Sequence, residues 1–373
     1  MKKISLLFIL AFLALQGCVT SKRFSNTTLV KSTPLKHQKY TGQCWSFAST
    51  SLLEAEAMRL GYEIPELSSF FFVYHNYLDN AEDYLKNKGT SRLNRGDLSF
   101  SVLEVFEKHG AVPESVYDGD LGRLTTKKQM MNRWKEEDEM NALIKRNLDS
   151  LIKTDTSNDK SLEIVKNILN EYMGEIPESF TFQGKTETAQ TFANKFVPLN
   201  SKDYTELTSY NHHPFYQKIM LEIPVNWRFK KYLNLPIESF MSTIDSALNG
   251  GFSLVWEGDI GGGDKDGFND NGYVRVKGEY EDENLISQEQ RQSAYKRKTT
   301  LTEHTMHLVG YTYDLKGEKF YILKNTWGKN RGIDGSYYLS ENYFRLRTVS
   351  VTVHKDAFPK EIKTKIQYQK HSK

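Results

Sequence analysis

Apolar positions recur at helical spacing in the first half of the chain and alternate in the second. From Cys44 the side chains of Phe47, Leu52, Leu53, Ala55, Ala57 and Leu60 suit a helix packed on most sides, and Gly61 supplies its stop. The stretch from Leu67 to Leu85 carries Phe70, Phe71, Phe72, Tyr74 and Tyr77, which read as core. Between Thr125 and Tyr172 the chain is charged, amphipathic and free of proline. That pattern predicts two or three surface helices broken near Thr154–Asp159, with their charge runs as solvated faces. Ile237 to Leu248 predicts a helix closed by Gly250 and Gly251. Alternation and β-branching then predict strands at Phe252–Gly258, His304–Tyr313, Lys319–Lys324, Gly335–Leu339 and Thr348–His354. The sum is an α+β chain: a helical lobe over 35–120, a helical insertion over 121–205 and a β-rich lobe over 206–358. A basic tail at 359–373 has no hydrophobic pattern. No internal repeat is visible.

The N-terminus differs from the rest. Met1-Lys2-Lys3 precedes a mostly apolar run from Ile4 to Leu15. A mature membrane-spanning helix needs about 20 apolar residues, so this run reads as a secretory signal over 1–17. The cut region Leu15-Gln16-Gly17-Cys18 resembles the bacterial lipobox, in which the cysteine is lipidated and becomes the new N-terminus. An ordinary signal peptide with an incidental cysteine is the alternative. Lipidation at Cys18 implies a protein anchored to a membrane of the bacterial cell envelope after export. The polar stretch 18–34 then reads as a tether.

Composition narrows the function classes. The chain has 373 residues, with 50 Lys plus Arg against 47 Asp plus Glu, a formal charge of +3. That balance gives no reason to expect a nucleic-acid partner. Two cysteines exclude a disulfide scaffold and a Cys-rich zinc module. With Cys18 assigned to the lipobox, Cys44 needs its own explanation.

Gly42 permits a tight turn before Cys44, which places the thiol at a helix N-terminus, where free amides and the helix dipole favour a thiolate. A buried structural cysteine is the plainer reading. Far along the chain stand His304, in the run His304-Thr-Met-His307-Leu-Val-Gly310, and Asn325, in Asn325-Thr-Trp327-Gly328. A cysteine, a histidine and an asparagine distant in sequence are the parts a thiol protease needs. A glutamine shortly before the cysteine, Gln38, can donate to an oxyanion. In a strand His304 and His307 face opposite sides, so at most one of them serves Cys44.

These elements resemble the papain superfamily of cysteine peptidases, and more closely its bleomycin hydrolase/aminopeptidase C branch. The matching residues are Gln38, Gly42-Gln-Cys44-Trp45, His304 six residues before Gly310, and Asn325-Thr-Trp327-Gly328, in family order. Thr41 stands where papain-type chains carry a cysteine, as in the branch without disulfides. The resemblance implies a two-lobed papain-like fold, with Cys44 on the helical lobe and His304 and Asn325 on a β-barrel-like lobe. It implies Cys44 as nucleophile, His304 as proton carrier, Asn325 as orienter of its ring, and Trp327 shielding that bond. It implies Gln38 in the oxyanion hole and Trp45 in support. No cofactor is required, and the substrates are peptides. The branch also implies aminopeptidase action, with the C-terminus in the cleft holding a free amine, and a homo-oligomer, hexameric by analogy. A papain-like endopeptidase and a catalytically idle peptide-binding lipoprotein are the alternatives.

Other candidates are weaker. Adjacent histidines chelate one ion poorly, and no Cys or acidic residue stands at a suitable spacing, so His212-His213-Pro214 reads as a structural loop and no metal is expected. The Gly- and Asp-rich run from Gly261 to Gly272 fails the EF-hand pattern and holds no phosphate loop. His37 and His109 read as ordinary polar contacts.

Overall fold

A computed structural model describes residues 24–93, 95–119, 126–261 and 271–371. The signal segment, Cys18 and most of the run from Gly261 to Gly272 lie outside these residues.

Three helices build the first layer: α1 (Cys44–Arg59), α2 (Ser69–Lys86) and α3 (Ser99–His109). Ser68 caps α2 by accepting the Phe71 amide, and Gly110, at φ +81°, ends α3. The insertion follows with α4 (Lys127–Lys153), α5 (Asn158–Met173), a short hairpin of β2 (Phe180–Phe182) and β3 (Lys185–Glu187), and α6 (Ala189–Phe196). Thr126 opens α4 with a reciprocal capping box to Gln129. The break between α4 and α5 falls where the sequence predicts it. The insertion is not a separate module, however. Met140, Ile144, Leu148, Val165 and Phe192 share one core with Phe70, Phe71, Tyr77 and Trp45. Its charge is not all solvated either, since Arg133 and Glu137 are buried.

The second lobe is one large sheet ordered β5-β6-β4-β12-β7-β9-β10-β11-β8. Its strands are β4 (Tyr204–Thr208), β5 (Gln217–Met220), β6 (Lys231–Asn234), β7 (Leu254–Gly258), β8 (Tyr273–Val274), β9 (His304–Asp314), β10 (Lys319–Lys324), β11 (Ser336–Ser340) and β12 (Thr348–His354). The helices α7 (Ile237–Asn249), α8 (Gln288–Lys296), α9 (Glu341–Arg347) and α10 (Lys360–His371) complete it. Every strand expected from alternation is present within a residue or two.

The sheet has two buried faces. Leu254, Trp256, Met306 and Leu308 point to one, where they pack with Phe240 and Ile244 of α7. Val255 points to the other and meets Ala48 and Leu52 of α1. Between the lobes the seam is polar. Glu257 accepts hydrogen bonds from the Ser99 amide and from the Ser99 and Ser350 hydroxyls, and Glu206 accepts from Thr352.

Two expectations need correction. Residues 24–29 are not free tether but a strand, β1 (Phe24–Leu29), antiparallel to the second half of β9. β7 covers His304–Leu308, and β1 takes over beside Gly310–Asp314. The tail is not patternless either. In α10, Ile362 is buried and Ile366 packs beside it, against the same cluster as α7. Two apolar residues four apart are enough to dock a short helix on a waiting surface.

Candidate active site

Cys44 is the first residue of α1; no side chain caps that helix, and the Ser46 and Phe47 amides donate back to the Gln43 carbonyl. Thr305, through its backbone N–H and hydroxyl, and the Trp45 backbone N–H lie close enough to the Cys44 thiol to favour its ionised form. Thr305 is the second residue of β9, directly after His304. The sulfur at the head of α1 thus meets the start of β9 across the seam between the lobes.

The register of β9 explains the remaining geometry. Lys324, the end of β10, lies opposite His307. Beyond Lys324 the Asn325 amide donates to the Gly335 carbonyl and Trp327 is bridged to His37. His304 Nε2 lies 2.7 Å from Asn325 Oδ1, and the His304 ring stacks on Trp327 with centroids 4.6 Å apart. An amide oxygen only accepts, so the proton sits on Nε2 and the lone pair on Nδ1 is free to take a thiol proton. His304 and Asn325 are both buried.

Gln38 enters from the segment before α1. Its backbone N–H donates to the Thr326 carbonyl at 2.9 Å, next to a β-bridge between His37 and Trp327. Its side-chain oxygen accepts from the Thr326 hydroxyl, and its Nε2 donates to the Thr41 carbonyl. The amide is therefore oriented, and one Nε2 hydrogen is left for a ligand.

His307, three residues further along β9, lies under the body of α1, with its Nδ1 2.9 Å from the Ser51 hydroxyl. Trp45 is packed in the helical core, where its indole donates to Gln43 at 2.9 Å.

Three contributors carry no motif. Thr305 and Thr326 flank His304 and Asn325 in sequence, so adjacency was the only available signal. Glu137 of α4 accepts the Gly42 amide at 2.8 Å and the Gln43 side-chain amide. It fixes the turn that presents Cys44 from 93 positions away, and nothing local marks it.

Burial governs the electrostatics. It pushes the Cys44 thiol up, more than the donations from Thr305 and Trp45 pull it down, and nearby Glu257 adds to the rise. The helix N-terminus alone does not lower it. Burial also pulls His304 down to about 4, against the opposing hydrogen bond to Asn325. Each group alone prefers to be neutral.

The tail as far as Ile366 packs elsewhere. Phe358 and Ile362 lie in the cluster on the α7 face of the sheet, and Lys365 Nζ sits 5.5 Å above the Tyr216 ring. The body of α1, the helix that Cys44 opens, packs on the opposite face.

Residues 94–372 match the model of the Peptidase C1-like family. The chain is 24% identical over 387 residues to cysteine proteinase 1, mitochondrial, of Saccharomyces cerevisiae, covering 92% of this chain and 79% of that one. It is 22% identical over 365 residues to aminopeptidase C of Lactococcus lactis subsp. cremoris, covering 88% and 82%. The crystal structure of PepW from Lactobacillus rhamnosis superposes with a TM-score of 0.73 over 94% of this chain and 86% of that one, at 20% identity. That likeness shows the papain-like fold.

Proposed function

The chain belongs to the Peptidase C1-like family of cysteine peptidases, and from that premise we propose that it is a thiol aminopeptidase acting through Cys44, His304 and Asn325. One observation carries the assignment of roles: Cys44 opens α1, which packs against β9, and β9 opens with a histidine whose Nε2 is held 2.7 Å from Asn325. Nδ1 of His304 takes the thiol proton, and the thiolate attacks the peptide carbonyl. The oxyanion receives the remaining Nε2 hydrogen of Gln38 and the Cys44 amide. The imidazolium returns its proton to the leaving amine, and water then releases the acyl group from sulfur. The aminopeptidase mode rests on the names of the relatives. The test compares peptides with free and acetylated N-termini, using Cys44→Ala as control. Hydrolysis of the free-amine peptide alone is expected; equal cleavage of both overturns the exopeptidase reading.

One observation favours endopeptidase action as a second reading. The tail that the branch uses to hold a substrate amine is docked, through Ile362, on the sheet face opposite the body of α1.

We further infer that the protein is exported and held at an envelope membrane by lipid on Cys18. The basic and apolar leader and the lipobox-like Leu15-Gln16-Gly17-Cys18 support this. Among the described residues no helix is long and apolar enough to cross a membrane. Five residues separate Cys18 from Phe24, a reach of at most about 20 Å, so the lipid would hold β1 close to the bilayer. Metabolic labelling with a palmitate analogue should tag the protein and fail with Cys18→Ala. Labelling that survives the substitution refutes the anchor.

A further inference from the structure

The loop between β4 and β5 carries His212 and His213 toward a third residue that spacing did not reveal. His213 Nε2 lies 2.8 Å from Glu222 Oε1, and His212 Nε2 lies 3.2 Å from Glu222 Oε2. One ligand atom from each residue falls within 4.8 Å of the other two.

The hydrogen bonding around His212 leaves this contact short of a hydrogen. The Asn211 amide donates to Gln292 Oε1 at 2.8 Å, which fixes that atom as the oxygen. His212 Nδ1 is 3.2 Å from the same oxygen, so Nδ1 carries the proton. In the neutral ring Nε2 then offers a bare lone pair, and it faces a carboxylate oxygen, which is also only an acceptor. A cation between them resolves the conflict. It can be a second proton on His212 or a metal ion.

Three features favour the metal. Zinc bonds of about 2.0–2.1 Å at a tetrahedral angle set neighbouring ligand atoms about 3.3 Å apart, and the His212–Glu222 separation is 3.2 Å. The two imidazole rings lie 4.2 Å apart, so a divalent ion shared by neutral rings avoids placing a charged imidazolium against its neighbour. The loop is also held before any ion arrives. Buried Asn234 donates to the carbonyls of Tyr210, His213 and Pro214, and Tyr295 of α8 donates to the Glu222 carbonyl. Gln292 supplies the outer hydrogen bond that fixes a ligating histidine's tautomer.

We propose that His212, His213 and Glu222 form a binding site for a divalent transition-metal ion of the zinc class, with water completing the coordination. The site lies at the β5–β6 edge of the sheet, whereas Cys44 lies over β7 and β9.

The test uses the full chain carrying Cys44→Ser, so that the thiol cannot ligate the probe ion. Titration with Co2+ should give visible d–d absorption with one equivalent bound per chain, displaced by Zn2+. His212→Ala and Glu222→Gln should each weaken binding at least tenfold. Both positions are accessible to solvent, and melting curves in chelator should match the parent and so confirm folding. Absence of the Co2+ bands overturns the proposal and leaves the imidazolium as the cation. Co2+ binding that neither substitution weakens overturns it too.

Discussion

At the scale of single residues, the site is a set of fixed orientations. Gln38 has one free hydrogen because Thr326 and Thr41 hold the rest of its amide. Gln38→Ala should lower kcat about 100-fold, equivalent to about 3 kcal/mol, with little change in KM, since the oxyanion exists only during reaction. Steady-state kinetics on one peptide substrate checks this. Asn325 acts differently, by supporting the charged form of His304. Without it the imidazolium loses its acceptor, and fewer molecules hold the thiolate–imidazolium pair at neutral pH. Alkylation of Cys44 by iodoacetamide in Asn325→Ala should therefore slow at pH 7. At strongly alkaline pH, where the thiol ionises without His304, the rate should return to that of the parent. Equal slowing at both extremes would mean a collapsed site rather than a lost orienter.

At the scale of elements, the geometry depends on strands and helices that bring distant residues together. Gly310, six positions after His304, has a physical reason to be glycine: a Cβ there would lie 2.2 Å from the Thr28 carbonyl of β1. Gly310→Ala should displace β1 and lower the melting temperature by several degrees, read by circular dichroism, with the site at the other end of β9 less affected. Glu137 joins α4 to the turn before Cys44. Both of its partners, the Gly42 N–H and the Gln43 Nε2, are donors. Glutamine offers only one accepting atom, so Glu137→Gln should reduce both stability and kcat, and Glu137→Ala more so. A full-rate Glu137→Ala enzyme would show that the turn holds itself. These cases mark how far the sequence could be read. Cys44, His304 and Asn325 were singled out by the resemblance of Gly42-Gln-Cys44-Trp45, of His304 six residues before Gly310, and of Asn325-Thr-Trp327-Gly328 to the family's motifs, and the packed helix from Cys44 was legible from its apolar positions. β1 was missed because Ser25, Asn26, Thr27 and Thr28 are polar, and its pairing comes from the free edge of β9 rather than from any pattern of its own. α10 was missed because two isoleucines suffice when the surface beneath already exists. Glu137 and Glu222 were missed because their meaning lies in partners that only the fold supplies.

At the scale of the whole molecule, the two lobes meet across buried carboxylates that must be hydrogen-bonded or protonated to stay dry. Glu257 receives Ser99 from α3 and Ser350 from β12, and the Ser99 hydroxyl in turn lies 2.7 Å from the Thr352 hydroxyl, which donates to Glu206. The seam behind Cys44 is thus a chain of hydroxyls ending on two acids. Burial, and then the neighbouring Glu257, push Glu206 up to about 8 from its ordinary 4.5. A carboxyl raised in the folded state holds its proton where the unfolded chain has already released it. The folded form therefore binds more protons between about pH 4.5 and 8, and its stability falls as pH rises through that window. Glutamine is neutral throughout, matches the shape, and can still accept from Thr352. Glu206→Gln should melt with the parent near pH 4.5 and several degrees above it near pH 8.5, with the gap opening steadily between. A gap that is constant from pH 4.5 to 8.5 would place the protonated acid elsewhere. Glu257 also raises the Cys44 thiol, so protonation of this seam reaches the nucleophile. The same glutamine substitution should leave peptide hydrolysis intact while shifting its alkaline profile, because Glu257 would then be the only carboxyl of the pair left to ionise behind the thiol.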